Sequence, residues 1–249
     1  MYFWTCWYTK RYRLIIYLAL AVALVILGTL PAGMENHGGH WTFPKIVTPG
    51  HVRIIWEEGV DHTVGILLLF MLFAAADLGA LAMGEDAKRR DIDFLLTRPR
   101  PRRYFVWTSW LAGITELVPL MLIPVLTSVL VMFLMSHAVS PGPLLTRCAE
   151  IFALAAAMYA LAFVLSVLTR SAQSGFQLAA FVIVVYAGIF YARGEVWFLY
   201  SWPPYRYYGA FALFDLPSQG FRFANLVCMV MATLALPLIA DLSFRRRDL

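Results

Sequence analysis

Asp77 and Glu116 stand inside long apolar runs, where a carboxylate is costly unless it faces a bundle interior, a water-filled cavity or a partner. Each could be a structural pair, a protonated acid or a group lining a polar substrate path. A second set of chemistry-bearing residues lies between Pro31 and His62, which holds His37, His40, His51 and His62, four of the five histidines, with Glu57, Glu58 and Asp61. Imidazole and carboxylate suit a metal ion. However, Gly38 and Gly39 leave the His37/His40 pair loose, and neither HExxH nor a cysteine partner is present, so a solvated loop without bound metal is the expectation.

The third set is GEDAKRRDIDFLLTRPRPRRYF, the 22 residues from Gly84 to Phe105, which hold seven of the 20 Lys/Arg residues. Asp86 can cap a short helix, Ile92, Leu95 and Leu96 share one face at helical spacing, and Pro99 and Pro101 stop it. Basic loops are common on the inner side of membrane proteins. The apolar triplet and the proline stop add what a solvated linker lacks, a face that can dock.

The elements that position these groups follow from composition. Hydrophobic residues make up 61% of the chain and charged residues 14%, against roughly a quarter charged in a soluble domain. The chain therefore reads as one all-α integral membrane domain, residues 1–249, with six spans over 14–30, 63–83, 105–135, 151–168, 176–191 and 224–242. The third run is longer than one span needs. It is expected to begin as an interfacial helix around Trp107 and Trp110, with kinks at Pro119 and Pro124. Residues 1–13, with Tyr2, Phe3, Trp4, Trp7 and Tyr8 ahead of Lys10, Arg11 and Arg13, suggest a helix lying in the inner interface. Leu30-Pro31-Ala32 makes a poor signal-peptidase site, so the first span is expected to be retained.

Basic residues set the orientation. With both termini inside, fourteen of the 20 Lys/Arg residues fall on inner segments and six on outer ones, which favours cytoplasmic termini in the cell membrane. The formal net charge of +5 is thus a topology signal rather than a sign of nucleic-acid binding. Cys6, Cys148 and Cys228 are scattered and imply no disulfide framework. Small residues recur four apart at Ala75/Gly79, Ala76/Ala80/Gly84 and Ala153/Ala157, which permits close helix contact within the bundle or across a dimer.

Between Glu195 and Phe211, eight of 17 positions are aromatic. This reads as an interfacial belt, or as an outer gate in which Trp197, Trp202 and Tyr205 close a path. GxxxxGK[ST], GxSxG and HExxH are all missing, so catalysis by the chain itself has no positive support and any ATPase must be another polypeptide. No internal repeat is visible, which weakens the case for a secondary carrier.

Three places together resemble ABC-2 type transporter permeases. The first is Asp91-Ile-Asp-Phe-Leu-Leu-Thr-Arg-Pro99 with Arg102-Arg103-Tyr104, similar to that family's cytoplasmic loop. The second is Ser166-Val-Leu-Thr-Arg170-Ser171, similar to the polar inner end of the family's fourth span and its brief turn into the fifth. The third is Phe244-Arg-Arg-Arg-Asp-Leu249, similar to the family's terminal aromatic and basic cluster. Thr108, Ser109 and Trp110 depart from the pattern, since many relatives carry a Lys entering span three.

The resemblance implies an ATP-driven exporter subunit, paired with a second copy or a paralogous permease and with a separate ATP-binding subunit that carries ATP and Mg. It further implies that the loop at 84–104 is the coupling element, with a helix over 85–98. Glu85, Asp91, Ile92, Asp93, Leu95, Leu96, Arg98, Arg102 and Arg103 would then meet the ATPase, and Pro203 and Pro204 would belong to short helices before the last span. The competing expectations are a multi-pass membrane enzyme, a proton-coupled carrier using Asp77 or Glu116, and a purely structural membrane subunit.

Overall fold

The computed structural model of the protein describes residues 12–26, 35–37, 40–42, 67–83, 102–134, 141–192 and 223–245. Six helices lie among them: α1 (Tyr12–Ile26), α2 (Leu67–Met83), α3 (Arg102–Leu134), α4 (Pro141–Thr169), α5 (Ala172–Ala192) and α6 (Phe223–Arg245). Two three-residue strands, β1 (Glu35–His37) and β2 (His40–Thr42), pair antiparallel with His37 opposite His40. Apart from this hairpin, the described fold is all-α.

Two helices are long and apolar enough to cross a membrane. Their apolar portions are Arg103–Thr127 of α3, 25 residues, and Ile151–Thr169 of α4, 19 residues. At ~1.5 Å per residue these extend ~38 Å and ~28 Å, against a hydrocarbon core of about 30 Å. The other four helices contribute the shorter apolar stretches Tyr12–Ile26, Leu67–Met83, Ala172–Val185 and Val227–Ser243.

The helices of the third and fourth runs begin ahead of the expected spans. The third apolar run lies in one helix of 33 residues, with Pro119 and Pro124 inside it. Trp110 is buried and packs edge to face on the half-buried Trp107 at 5.5 Å. The helix of the fourth run starts at Pro141, while its apolar, membrane-length portion is Ile151–Thr169, in agreement with the expected span over 151–168. Proline suits a first helical turn, where its missing N–H has no intrahelical partner to lose. Arg147 and Glu150 are carried within the helix, ahead of that apolar portion.

Helix α4 is the packing centre and touches α3, α5 and α6. Its fully buried Tyr159 and Phe163 stack at a centroid distance of 6.3 Å. Close approach around them needs glycine in two places. A Cβ at Gly79 on α2 would strike the Tyr159 carbonyl oxygen, and one at Gly113 on α3 would strike the Tyr159 phenol. Every residue of α2 is buried or half-buried, and the small-residue row Ala75, Ala76, Gly79 and Ala80 lies in the core. Of the small residues spaced four apart, Gly79 is used within the bundle, at the α2–α4 crossing.

Between α4 and α5 only Arg170 and Ser171 intervene. Arg170 takes a left-handed conformation, φ 56°, which ends α4 in the manner of a C′ residue. Ser171 then caps α5, its Oγ accepting from the Ser174 N–H at 3.3 Å and its carbonyl accepting from the Gly175 N–H at 3.0 Å. The turn is tight enough that a Cβ on Gly175 would lie 2.7 Å from Ser166 Cα. Ser171→Ala should cost about 1 kcal/mol by loss of the cap. A lower unfolding midpoint in detergent, with no change in helix content at low temperature, is the expected reading.

Polar side chains on the apolar helices mostly fold back on their own backbone. Thr115 Oγ1 donates to the Ala112 carbonyl at 2.6 Å, Ser166 Oγ to Phe163 at 2.8 Å and Thr233 Oγ1 to Met229 at 2.8 Å. Hydroxyls satisfied in this way put no open donor on the helix exterior. The exterior itself is apolar. Ile15, Ile16 and Leu20 on α1, Leu122, Leu126 and Leu130 on α3, Phe181 and Val184 on α5, and Met231, Leu238 and Leu242 on α6 are all exposed.

Candidate functional site

Asp77 sits near the end of α2, where its Oδ2 accepts from the Tyr17 hydroxyl at 2.5 Å and from Arg13 Nη1 at 3.4 Å. The donors are four residues apart on α1 and therefore share one face. Tyr17 also packs edge to face on Phe70, two turns earlier on α2, with centroids 6.1 Å apart. Arg13 pairs towards the end of α2 and Tyr17 reaches back to Phe70, so the two helices run antiparallel. The Asp77 side chain is 19% exposed and the Arg13 side chain 47%, which puts the pair at a rim rather than in a sealed core.

Glu116 is in a different setting, 1% exposed, on a face of α3 that also buries Ser109, Ala112, Leu117 and Leu120. One turn before Glu116 the Tyr159 ring crosses Gly113, and the Tyr159 hydroxyl donates to the Ser109 carbonyl at 3.3 Å. The two carboxylates singled out from sequence therefore occupy separate environments. Asp77 belongs to the α1–α2 contact and Glu116 to the α3 face turned into the core. A third acid, Asp241 on α6, is also buried, on the stripe formed by Met229, Thr233 and Ala240.

Comparison with protein-family models and with curated proteins finds no match.

Arg102 and Arg103 open α3, and Arg103 is exposed. The rest of the expected coupling set, Glu85, Asp91, Ile92, Asp93, Leu95, Leu96 and Arg98, lies outside the described residues, as do residues 1–11 of the interfacial helix expected over 1–13 and the aromatic gate residues Trp197, Trp202 and Tyr205. For the histidine pair, the backbone register sets His37 opposite His40 across the hairpin, and Gly38 and Gly39 lie outside the described residues. Among the described residues, no group of three or more His, Cys, Asp or Glu is placed to hold a metal ion.

Sequence reasoning missed Arg13, Tyr17 and Tyr159. From sequence Arg13 carries a topology charge and belongs to the expected interfacial N-terminus, and Tyr17 is one more residue of the first apolar run. Their partner Asp77 is 64 and 60 residues away, a separation over which helical periodicity carries no information. Tyr159 gave one usable signal, since Ala155, Ala156, Ala160 and Ala162 surround it with small residues, as expected where a large ring must be accommodated between close helices.

Proposed function

We propose that this chain is the membrane-spanning permease subunit of an ATP-driven ABC-2 type exporter, coupled to a separate ATP-binding subunit. The observation that carries the reading is the basic, proline-stopped, amphipathic segment between α2 and α3. Its sequence resembles the family's cytoplasmic loop, and it joins two helices that both contribute to the buried core. The apolar exterior of α1, α3, α5 and α6 supports a hydrocarbon surround, because contiguous apolar surface of this extent is unfavourable in water. In this reading all six helices span, with both termini cytoplasmic, and a second permease copy or paralogue completes the path.

The ATPase would act through residues 85–98. Closure of an ATPase pair moves the loop, and the loop moves the ends of α2 and α3. A partner shifts the permease between states only by its differential affinity for them. Asp77 and Glu116 are the candidates for a polar path, and Trp197, Trp202 and Tyr205 for an outer gate. The experiment is a gentle-detergent pull-down of the tagged chain from its native membrane with mass spectrometry. Near-stoichiometric recovery of an ATP-binding subunit is the expected result, and its absence across several mild detergents would remove the reading.

The buried Glu116 favours a second reading, a proton-coupled carrier, because an acidic residue enclosed within an apolar helix bundle is a recurrent element of ion and proton paths. Transport that persists in ATP-depleted vesicles and collapses with the proton gradient would select it.

A further inference from the structure

One oxygen of one carboxylate holds two donors from a single face of α1. Arg13 and Tyr17 converge on Asp77 Oδ2, while the Tyr17 ring rests on Phe70 two turns away. Leu14, Ala21 and Val25 are the buried apolar positions of the same helix. Aliphatic packing lets a helix slide or rotate, whereas a hydrogen-bonded carboxylate fixes both register and rotation. Asp77 is also close to the end of α2 at Met83, about 9 Å along the axis for six residues, so whatever happens to the following segment is felt at this position. The half-exposed Arg13 makes the arrangement reversible, because an ion pair open to water is weakly held.

We propose that Arg13, Tyr17 and Asp77 form a latch that makes α1 and the end of α2 move as one body. A displacement of the segment after Met83 then carries the N-terminal helix with it. Asp77 is the positioning residue, and Arg13 and Tyr17 are the two teeth it engages. The packing half of this inference stands on the geometry alone; its consequence for transport rests on the exporter reading.

The test uses the full chain in lipid nanodiscs, with Cys6, Cys148 and Cys228 replaced by Ser and nitroxide labels at Ile15→Cys and Leu168→Cys, both exposed positions. Pulsed electron paramagnetic resonance reads the distance between α1 and α4. The parent should give one narrow distribution. Asp77→Asn and Arg13→Gln should each widen it at least twofold or add a second distance, and Arg13→Glu/Asp77→Lys, which restores opposite charges, should narrow it again. Arg13→Gln changes a half-exposed side chain, so it keeps the test valid if the Asp77 variant fails to fold.

Parent-like widths in both single variants, with helix content and elution unchanged, would overturn the latch. So would a charge-swapped variant as broad as the singles. Widened distributions with unaltered ATP hydrolysis in the reconstituted complex would overturn the coupling half and leave the packing half standing. If no ATPase is recovered at all, the distances still decide the latch, and the exporter reading falls separately.

Discussion

Leu95→Asp and Leu96→Asp should each release the ATP-binding subunit while leaving the chain in the membrane. In the exporter reading, both leucines fill an apolar groove on that subunit, together with Ile92. An aspartate there would be desolvated without a partner charge, which costs several kcal/mol even after relaxation. A loss of about 3 kcal/mol is a weakening of more than 100-fold. Co-purification should therefore drop to background in either variant, and permease-stimulated ATP hydrolysis should drop with it. Arg100→Ala, outside the apolar face, is the control and should change recovery less than twofold. Full recovery and full stimulation in both aspartate variants would sink the docking role of this segment.

An equally large effect, on the fold itself, should come from Gly79→Leu. The obstacle to a side chain there is the Tyr159 backbone, with the Ala162 Cβ 3.2 Å away, so relief requires α2 and α4 to separate. Overpacking a well-packed core costs typically 1–3 kcal/mol, and a backbone obstacle belongs at or above the upper end. The expected result is loss of monodisperse protein on size-exclusion chromatography in mild detergent. Gly113→Ala should be milder, because its obstacle is the far end of the Tyr159 side chain, which can turn. Finding Gly113→Ala more damaging than Gly79→Leu would contradict the packing described at this crossing.

Much of the helical architecture was legible in the sequence, because apolar runs separated by charged or glycine- and proline-rich stretches mark helices at low resolution. Each of the six apolar runs overlaps a described helix. Helix ends were less legible. Helix α4 begins at Pro141, well ahead of its apolar portion at Ile151, because a proline is tolerated in the first helical turn and hydrophobic patterning marks only the apolar part of a helix.

Pairings between helices were the hardest to foresee. The row Ala75, Gly79 announced a close contact but could not name Tyr159 as its partner. Asp77 announced a need for compensation, and the compensating groups proved to be Arg13 and Tyr17 on a helix far away in sequence. Periodicity describes one helix at a time, while the candidate site is a property of pairs.

The two-residue turn at Arg170–Ser171 also bears on how the protein is made. With α4 and α5 joined so tightly, and Gly175 against the Ser166 backbone, neither helix can be displaced far without the other. If all six helices span, as the exporter reading proposes, the pair would enter the bilayer as a single hairpin, its apolar arms inserted together. An epitope tag spliced between Thr169 and Ala172 would split that hairpin before it formed, and the failure would register during synthesis, as degraded nascent chain, rather than as a mature protein that works poorly.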